Sequence, residues 1–501
     1  MHNNEDPRPV VVIAGATGFV GRALLSLLIP RYRVIGLTRE PVEEGQDWGQ
    51  PGHKDLIWRQ CDLFSLIDAE KALAGADFAF YLVHSMMPSA RLTQGHFEDM
   101  DLIAADNFAR AAAMAGVKQI IYLGGLVPKA KDLSLHLRSR LEVEETLGSK
   151  GVPVTALRAG LIIGTSGSTF RIMVRLVQRL KFMVFPGWMM SQTHPIALPD
   201  ILTILDHCLG NPETYGKSFD VGGPDVMTYR EMILQIAEVL GYKRKIYTIP
   251  FFPARVASFL LSVLTNSPRA LVNPLVDSLK VPMVAEKRIL QEKLNLPGMP
   301  FAEAVKLALS IQPLQREENR PRAPRQKKKS AVLSVRSVQR LPLPEGWNAD
   351  WVALHYSYWL PRLFRTIVKV KVDSKGCYFY FRFFPKSLLD LTFSFDRSSK
   401  DRPLYYITGG LMARLGRLPH QGRLEFREVL KNSHVLVAIH DYVPSIPWFL
   451  YSITQARLHL WVMHNYRKHL ASLSGDNSPE TARMIKVYKT LTEKNGIKQE
   501  F

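Results

Sequence analysis

Over the first three hundred residues, short and almost wholly apolar runs alternate with longer segments of helical period. Residues 10–14 read Val-Val-Val-Ile-Ala, and a helical pattern begins at Phe19. Similar apolar runs recur at 32–37, 56–61, 79–83, 119–123 and 154–159, with helical segments at 95–115 and 133–147. A strand that is apolar at every position has no solvated face, and strands separated by helices pair in parallel. The pattern therefore predicts an α/β fold, a Rossmann-type doubly wound parallel sheet covered on both sides by helices. After Gly160 the rhythm loosens into Pro-punctuated helices and a late strand at 218–221. This predicts a small substrate lobe over the carboxyl ends of the strands, where open α/β sheets bind ligands.

Further along, the pattern changes class. Runs at 369–372, 376–384, 389–396, 405–408, 422–428 and 435–442 are strand-like, several alternate with period two, and turn residues separate them. Strands in succession without helices between them pair antiparallel. Pro444 and Pro447 then precede a helical stretch over 448–470, with Phe449, Ile453, Leu460 and Met463 at roughly helical spacing. The expected C-terminal domain is thus α+β, an antiparallel sheet closed by one long helix. Domain limits follow: 1–312 for the first domain, 313–343 for a basic linker, 344–475 for the second domain and 476–501 for a charged tail. The linker is read from composition. Between Arg316 and Arg340 there are nine basic and two acidic side chains, interrupted by Pro321 and Pro324, too polar to bury a core.

The first strand runs straight into Gly15-Ala-Thr17-Gly18-Phe19-Val20-Gly21, and a helix follows. Glycines at that junction permit a tight bend and close backbone approach, while the helix start aims unpaired amides at an anion. Strand, glycine bend and helix in this order point to the diphosphate of a nicotinamide dinucleotide. About twenty residues on, where NAD-binding folds usually carry an acid for the ribose hydroxyls, the chain has Arg39, a partner for a 2′-phosphate. NADP(H) is therefore expected over NAD(H), with NAD(H) left open because Glu40 follows at once. The third strand delivers Asp62 and Leu63, placed for the adenine end; the alternative is that Asp62 caps the helix starting near Ser65.

At 501 residues, 47% hydrophobic and 22% charged, the chain is an ordinary globular sequence too long for a single core. Neither a signal peptide nor an uninterrupted apolar run of about 18 residues is legible. Cys61, Cys208 and Cys377 are few and far apart, which argues against a disulfide scaffold or a metal knuckle. A cytoplasmic location is expected. The net charge of +20 admits nucleic acid, an anionic membrane surface or a solvated linker as its explanation. Aromatics do not interleave with the basic run and no recognition signature is present, so nucleic acid is the weakest of the three. Peripheral contact with the inner face of a membrane stays open, through the aromatic and basic stripe of 448–470 or through 251–263.

Taken together, Gly15 to Gly21, Asp62-Leu63, Tyr81-Leu-Val83-His84-Ser85, the helix from Asp101 to Lys118, Leu157-Arg158-Ala159-Gly160 with Gly164, and Thr193-His194-Pro195-Ile196 before Asp200 carry a resemblance. Residues 9–310 resemble the extended, atypical short-chain dehydrogenase/reductases, and more narrowly the bacterial NAD(P)-binding branch related to the NAD(P)H-binding accessory subunit of respiratory complex I. The resemblance implies that Gly15, Thr17, Gly18, Phe19, Val20 and Gly21 wrap the diphosphate, Arg39 the 2′-phosphate and Asp62 and Leu63 the adenine. Val83 and His84 would take the nicotinamide-side ribose. By element order alone, residues 344–470 are similar to the helix-grip, lipid-transfer-type fold, which often encloses an apolar cavity, so an apolar small molecule is an expected partner.

The chain departs from that family where its chemistry resides. Active members carry a Tyr-x-x-x-Lys pair and a Ser or Thr at the end of the preceding strand. Here the aligned positions are His136 and Arg140, and the strand ends in Gly124-Gly125. Arginine still bonds ribose hydroxyls but stays charged and cannot shuttle a proton, whereas a histidine of ordinary pKa could serve as an acid. His136 and Arg140 are the candidate catalytic pair, and His136 has the alternative of simply lining the pocket. Two functions stay open: reduction of an apolar or quinone-like carbonyl, and dinucleotide binding without turnover for redox sensing, assembly or lipid handling at a membrane surface.

Overall fold

The computed structural model describes residues 7–42, 56–84, 92–128, 133–250, 253–265, 269–311, 335–365, 367–373, 375–414 and 422–473. Ser85, residues 251–252, most of the expected linker (313–334) and the expected tail (476–501) lie outside the described residues. The chain forms two compact units: Met1–Met87 with Asp101–Pro324, and Pro88–Met100 with Arg325–Phe501.

The first unit is built on a seven-stranded parallel sheet. Its elements in chain order are β1 (Val10–Ala14), α1 (Phe19–Leu28), β2 (Arg33–Thr38), β3 (Leu56–Gln60), α2 (Leu66–Leu73), β4 (Phe78–Tyr81), α3 (Phe97–Ala115), β5 (Gln119–Gly125), α4 (Leu135–Leu147), β6 (Val154–Ala159), α5 (Ser168–Arg179), α6 (Leu198–Cys208), β7 (Ser218–Val221) and α7 (Tyr229–Val239). The strand order is β7-β6-β5-β4-β1-β2-β3. Central β1 shows why its sequence is apolar throughout: alternate residues enter opposite cores. Val11 and Ile13 pack with Leu24, Leu25 and Leu28 of α1 and Ile201 and Leu205 of α6, while Val12 and Ala14 pack with Ala105 and Phe108 of α3 and Val143 of α4. The strand order reverses between β1 and β4, and the loops after both strands meet at the carboxyl edge. A third core gathers Phe170 and Val174 of α5, Ile233 and Ile236 of α7 and Val305 of Phe301–Ile311, forming the small lobe.

The second unit is an eight-stranded sheet in which seven neighbours run antiparallel. They are β8 (Val335–Pro342), β9 (Val368–Asp373), β10 (Gly376–Phe381), β11 (Ser387–Phe393), β12 (Leu404–Gly409), β13 (Arg423–Val429) and β14 (His434–Tyr442), in the order β9-β10-β11-β12-β13-β14-β8. A three-residue strand, Leu92–Gln94, adds to β8 in parallel, with Val335 opposite Leu92. Helices α8 (Ala349–Leu363) and α9 (Gln455–Leu473) pack on one face, where Val352, Trp359, Tyr466 and Leu470 meet Phe379, Leu391, Phe426 and Val437.

Both sheets and the long C-terminal helix are those the polarity pattern predicts, but several boundaries differ. Residues 335–342, expected as the end of the linker, form β8, whose apolar Val335, Val338 and Leu341 are buried beside half-buried Arg336 and Arg340. The expected helix over 95–115 begins at Phe97, and residues 88–100 belong to the second unit. Helix α8 was not predicted; its N-cap is Asn348, which accepts from the Trp351 amide at 2.9 Å. The expected single helix over 448–470 is two, Trp448–Ile453 and α9, broken at Thr454, where the side chain bonds back to the Leu450 carbonyl.

Candidate functional site

At the carboxyl edge of the first sheet, β1 turns into α1 through a bend that only glycine can make. Gly15 adopts φ +91°, and a Cβ there would stand 2.9 Å from the Leu82 carbonyl oxygen. A Cβ at Gly21 would stand 2.2 Å from the Gly15 carbonyl oxygen, so the first turn of α1 lies directly on the bend. The Gly18 amide donates to the Gly15 carbonyl at 2.9 Å, and Gly18 is the N-cap of α1 without a side chain to cap it. The helix start thus keeps amides and a positive dipole end for an anion, with no acidic residue in the first turn to oppose it.

A cleft of about 450 Å³ opens at this bend. Gly15, Thr17, Gly18, Arg39, Asp62, Leu63, Val83 and His84 all line it, so eight of the residues singled out in the sequence meet in one space. Phe19, Val20 and Gly21 stand behind it on α1; the Phe19 ring packs beside Gly164 and Gly167, where a Cβ would collide with or press upon it. Arg39 is exposed at the end of β2. Asp62 accepts from the Phe64 amide at 3.2 Å and does not cap α2; that role falls to Ser65, which accepts from Asp68. Thr38, Ala104 and Ser168 complete the wall without having been singled out.

Behind His84 lies a buried ionic centre. His84 Nδ1 is 3.2 Å from Asp101 Oδ2 on α3, and the Arg140 guanidinium on α4 donates to the same oxygen at 2.6 Å while also touching His84. Asp101 is 2% exposed in its side chain and Arg140 8%. Burial disfavours the Arg140 charge, but Tyr122, Asp101 and Tyr81 outweigh it and keep the guanidinium protonated. Burial, reinforced by the Arg140 charge, holds the His84 imidazole below its ordinary pKa, and its Nε2 is buried with no hydrogen-bond partner among the described residues. The His136 ring lies 5.1 Å from that of His84. Burial, then His84 and Arg140, lower His136 to about 3, so it is neutral at physiological pH. An imidazolium acid, one role the sequence left open for it, is not available there at neutral pH.

Residues 11–134 match the model of the NAD dependent epimerase/dehydratase family. Among curated relatives, the auxiliary protein GraX of Staphylococcus aureus is 32% identical over 147 residues, covering 29% of this chain and 43% of that protein. The mitochondrial NADH dehydrogenase (ubiquinone) 1 alpha subcomplex subunit 9 of Arabidopsis thaliana is 23% identical over 254 residues, 48% of this chain and 60% of that protein. The chain therefore spans less than two thirds of the length of either relative. Among solved structures, the Citrobacter sp. triphenylmethane reductase complexed with NADP(H) is similar with a TM-score of 0.47 and 20% identity, over 60% of this chain and 100% of that one.

Neither hydroxyl that lies near the aligned positions in sequence, Tyr122 or Ser134, is placed to act as the acid. Tyr122 Oη donates to the Arg140 carbonyl at 3.1 Å, and burial pushes its pKa up to about 12. Ser134 caps α4 by accepting from the Leu137 amide at 3.3 Å. At the end of β5, a Cβ on Gly125 would meet Arg140 Cγ at an ordinary 3.7 Å, so a side chain has room there and the sequence simply omits it. Asp101, the anchor of the centre, is the functional residue that reading by motif missed. Its signal was present: an acid among the buried apolar positions of an alanine-rich helix needs a cationic partner.

Proposed function

We propose that the first unit is a nicotinamide-dinucleotide-dependent oxidoreductase domain that prefers NADP(H) and reduces a conjugated, quinone-like apolar acceptor. The carrying observation is the glycine bend at α1 opening onto a cleft lined by His84, with Arg140 and Asp101 buried behind that ring. The bend suits a diphosphate because any Cβ at Gly15 or Gly21 would meet backbone, Arg39 suits a 2′-phosphate, and Asp62 with Leu63 suits the adenine side. The His84 ring, which lines the cleft, suits a ribose hydroxyl, with Arg140 beside it. The bound reduced dinucleotide would supply a hydride.

The residues present favour acceptors that need no proton in the same step. Hydride addition to a quinone leaves a hydroquinone monoanion whose charge is spread over the ring and favoured by the fixed Arg140 cation, and water then supplies the proton. A simple aldehyde would give a localised, strongly basic alkoxide, and neither neutral His136 nor Tyr122, bonded to the Arg140 carbonyl, offers it a proton. For the second unit, the element order supports a helix-grip, lipid-transfer-like reading with an apolar small molecule as its ligand.

The test is a fluorescence titration with NADPH and NADH, followed by NADPH consumption with a panel of quinones and aldehydes. Tighter binding of NADPH, quinone consumption and inert aldehydes are expected. Aldehyde turnover equal to that of quinones would overturn the proton argument. A second reading, binding without turnover, is favoured by the engagement of Arg140 with both Asp101 and His84; NADPH binding with no quinone consumed would establish it over the first.

A further inference from the structure

The second unit carries an exposed aromatic surface at the turn between β10 and β11. All six residues of Phe381-Arg382-Phe383-Phe384-Pro385-Lys386 are exposed, and Phe383 is 88% exposed. Two backbone bonds hold the turn, from the Arg382 amide to the Ile367 carbonyl at 2.7 Å and from the Phe384 amide to the Phe381 carbonyl at 3.2 Å. The apolar surface continues through exposed Ile367 to Phe364, whose ring lies 6.1 Å from that of Trp461 on α9, itself 48% exposed. Burying aromatic rings is strongly favourable, so a protruding tip of this kind marks a place where the protein meets something apolar.

The charges around the tip say what that is. Between Arg362 and Lys386 the chain has seven basic residues, Arg362, Arg365, Lys369, Lys371, Lys375, Arg382 and Lys386, against the single acid Asp373. Lys369 and Lys371 are exposed on the edge strand β9, opposite Tyr380 and Tyr378. Asp373 and Lys375 sit together at the other end of the β9–β10 hairpin, which leaves six of the seven cations for the tip, and the neighbouring Asp390 accepts from Ser387 at 3.0 Å. A convex pair of phenylalanines ringed by cations has no groove to accept a rigid partner, but suits a fluid apolar layer with an anionic surface.

We propose that the β10–β11 turn docks this protein on an anionic phospholipid bilayer, with Phe383 and Phe384 entering the acyl boundary and Arg382, Lys386, Lys369 and Lys371 meeting lipid phosphates. This stands apart from the dinucleotide reading and survives or fails without it. The test is flotation of the full chain with vesicles of phosphatidylcholine, alone or with phosphatidylglycerol. Binding to the anionic vesicles only, weakened between about 0.05 M and about 0.5 M salt, is expected. F383S/F384S should lower it at least about tenfold, with thermal unfolding and NADPH affinity unchanged. K369E/K386E, which keeps both aromatics, should lower it as well and abolish the salt dependence. Three results would overturn the proposal: no flotation of the native chain, unchanged flotation of both variants, or a native dimer that F383S/F384S converts to monomer, which would make the tip a contact between copies.

Discussion

Each unit contains a buried arginine–carboxylate–histidine centre, and the two have different prospects. In the first, Asp101 holds Arg140 and His84, and His84 retains 22% side-chain exposure where it lines the cleft. In the second, Glu425 on β13 accepts from Arg402 and Arg427, both at 2.8 Å, and pairs with His440 at 2.9 Å, with no partner more than 7% exposed. Burial opposes the Glu425 charge, but Arg427, Arg402 and His440 overcome it and hold the carboxyl well below its usual range. Two guanidinium groups and an imidazole that burial holds below its ordinary pKa leave that carboxylate closed on itself. The Asp101 centre ends in a ring nitrogen with no partner among the described residues. The same residue types thus make a structural knot in one place and a candidate ligand wall in the other, and what separates them is an opening.

The largest expected effect comes from breaking the closed centre. Glu425→Ala leaves two buried guanidinium groups uncompensated and should cost about 3–5 kcal/mol of stability in the second unit, read by thermal or denaturant unfolding, while NADPH affinity stays unchanged. Asp101→Asn should do the opposite in kind. It should cost about 1–3 kcal/mol, because the amide oxygen can still accept from Arg140, yet lower NADPH-dependent quinone turnover or NADPH affinity at least about tenfold. If Glu425→Ala weakened NADPH as much as Asp101→Asn does, the contrast between the two centres would be lost.

That contrast also marks how far the sequence could be read. The glycine bend and its neighbours were legible because their signals are local: an apolar run, three glycines at fixed spacing and a helix start, all within twelve residues. The parallel sheet followed from strands with no polar face. The ionic centres were not legible, since Asp101, Arg140 and His84 come from three elements and Glu425, Arg402 and His440 from three more, joined only by tertiary packing. Helix α8 was missed because Trp351, Val352, Tyr356, Tyr358 and Trp359 favour strands and Pro361 lies inside it; packing overrode propensity, although Asn348 carried the cap signal. Leu92–Gln94 has three residues, and its partner β8 begins at Val335, too far along the chain for any local pattern to announce.

A smaller effect sharpens the open side of the comparison. Arg39 lines the cleft from an exposed position, so Arg39→Ala should weaken NADPH about tenfold, equivalent to about 1.4 kcal/mol, and leave NADH and the unfolding temperature nearly unchanged. Parallel titrations of the two dinucleotides measure it. Equal weakening of both would remove the 2′-phosphate from the role of Arg39 and leave only a general attraction for anions.

The smallest effect concerns pH. His136 sits at about 3 when folded, because burial and then the charges of its neighbours disfavour the imidazolium, against about 6.5 in an unfolded chain. As pH falls, the unfolded chain therefore takes up this proton first. The stability tied to neutral His136 is complete above about pH 6.5 and is lost as pH falls from there toward 3. His136→Phe removes the titration, so the variant should lose about 1 kcal/mol less than the native protein by a pH one unit below 6.5. His459, buried in the second unit, is lowered to about 4 by burial alone and carries a loss of the same sign, which makes His459→Phe the matched control. The open centre then adds a distinction the closed unit lacks. If neutral His136 serves only to wall the cleft, quinone turnover stays flat from about pH 6.5 to 8 in the native protein and in His136→Phe alike, and a native acid limb absent from the variant would return His136 to the chemistry.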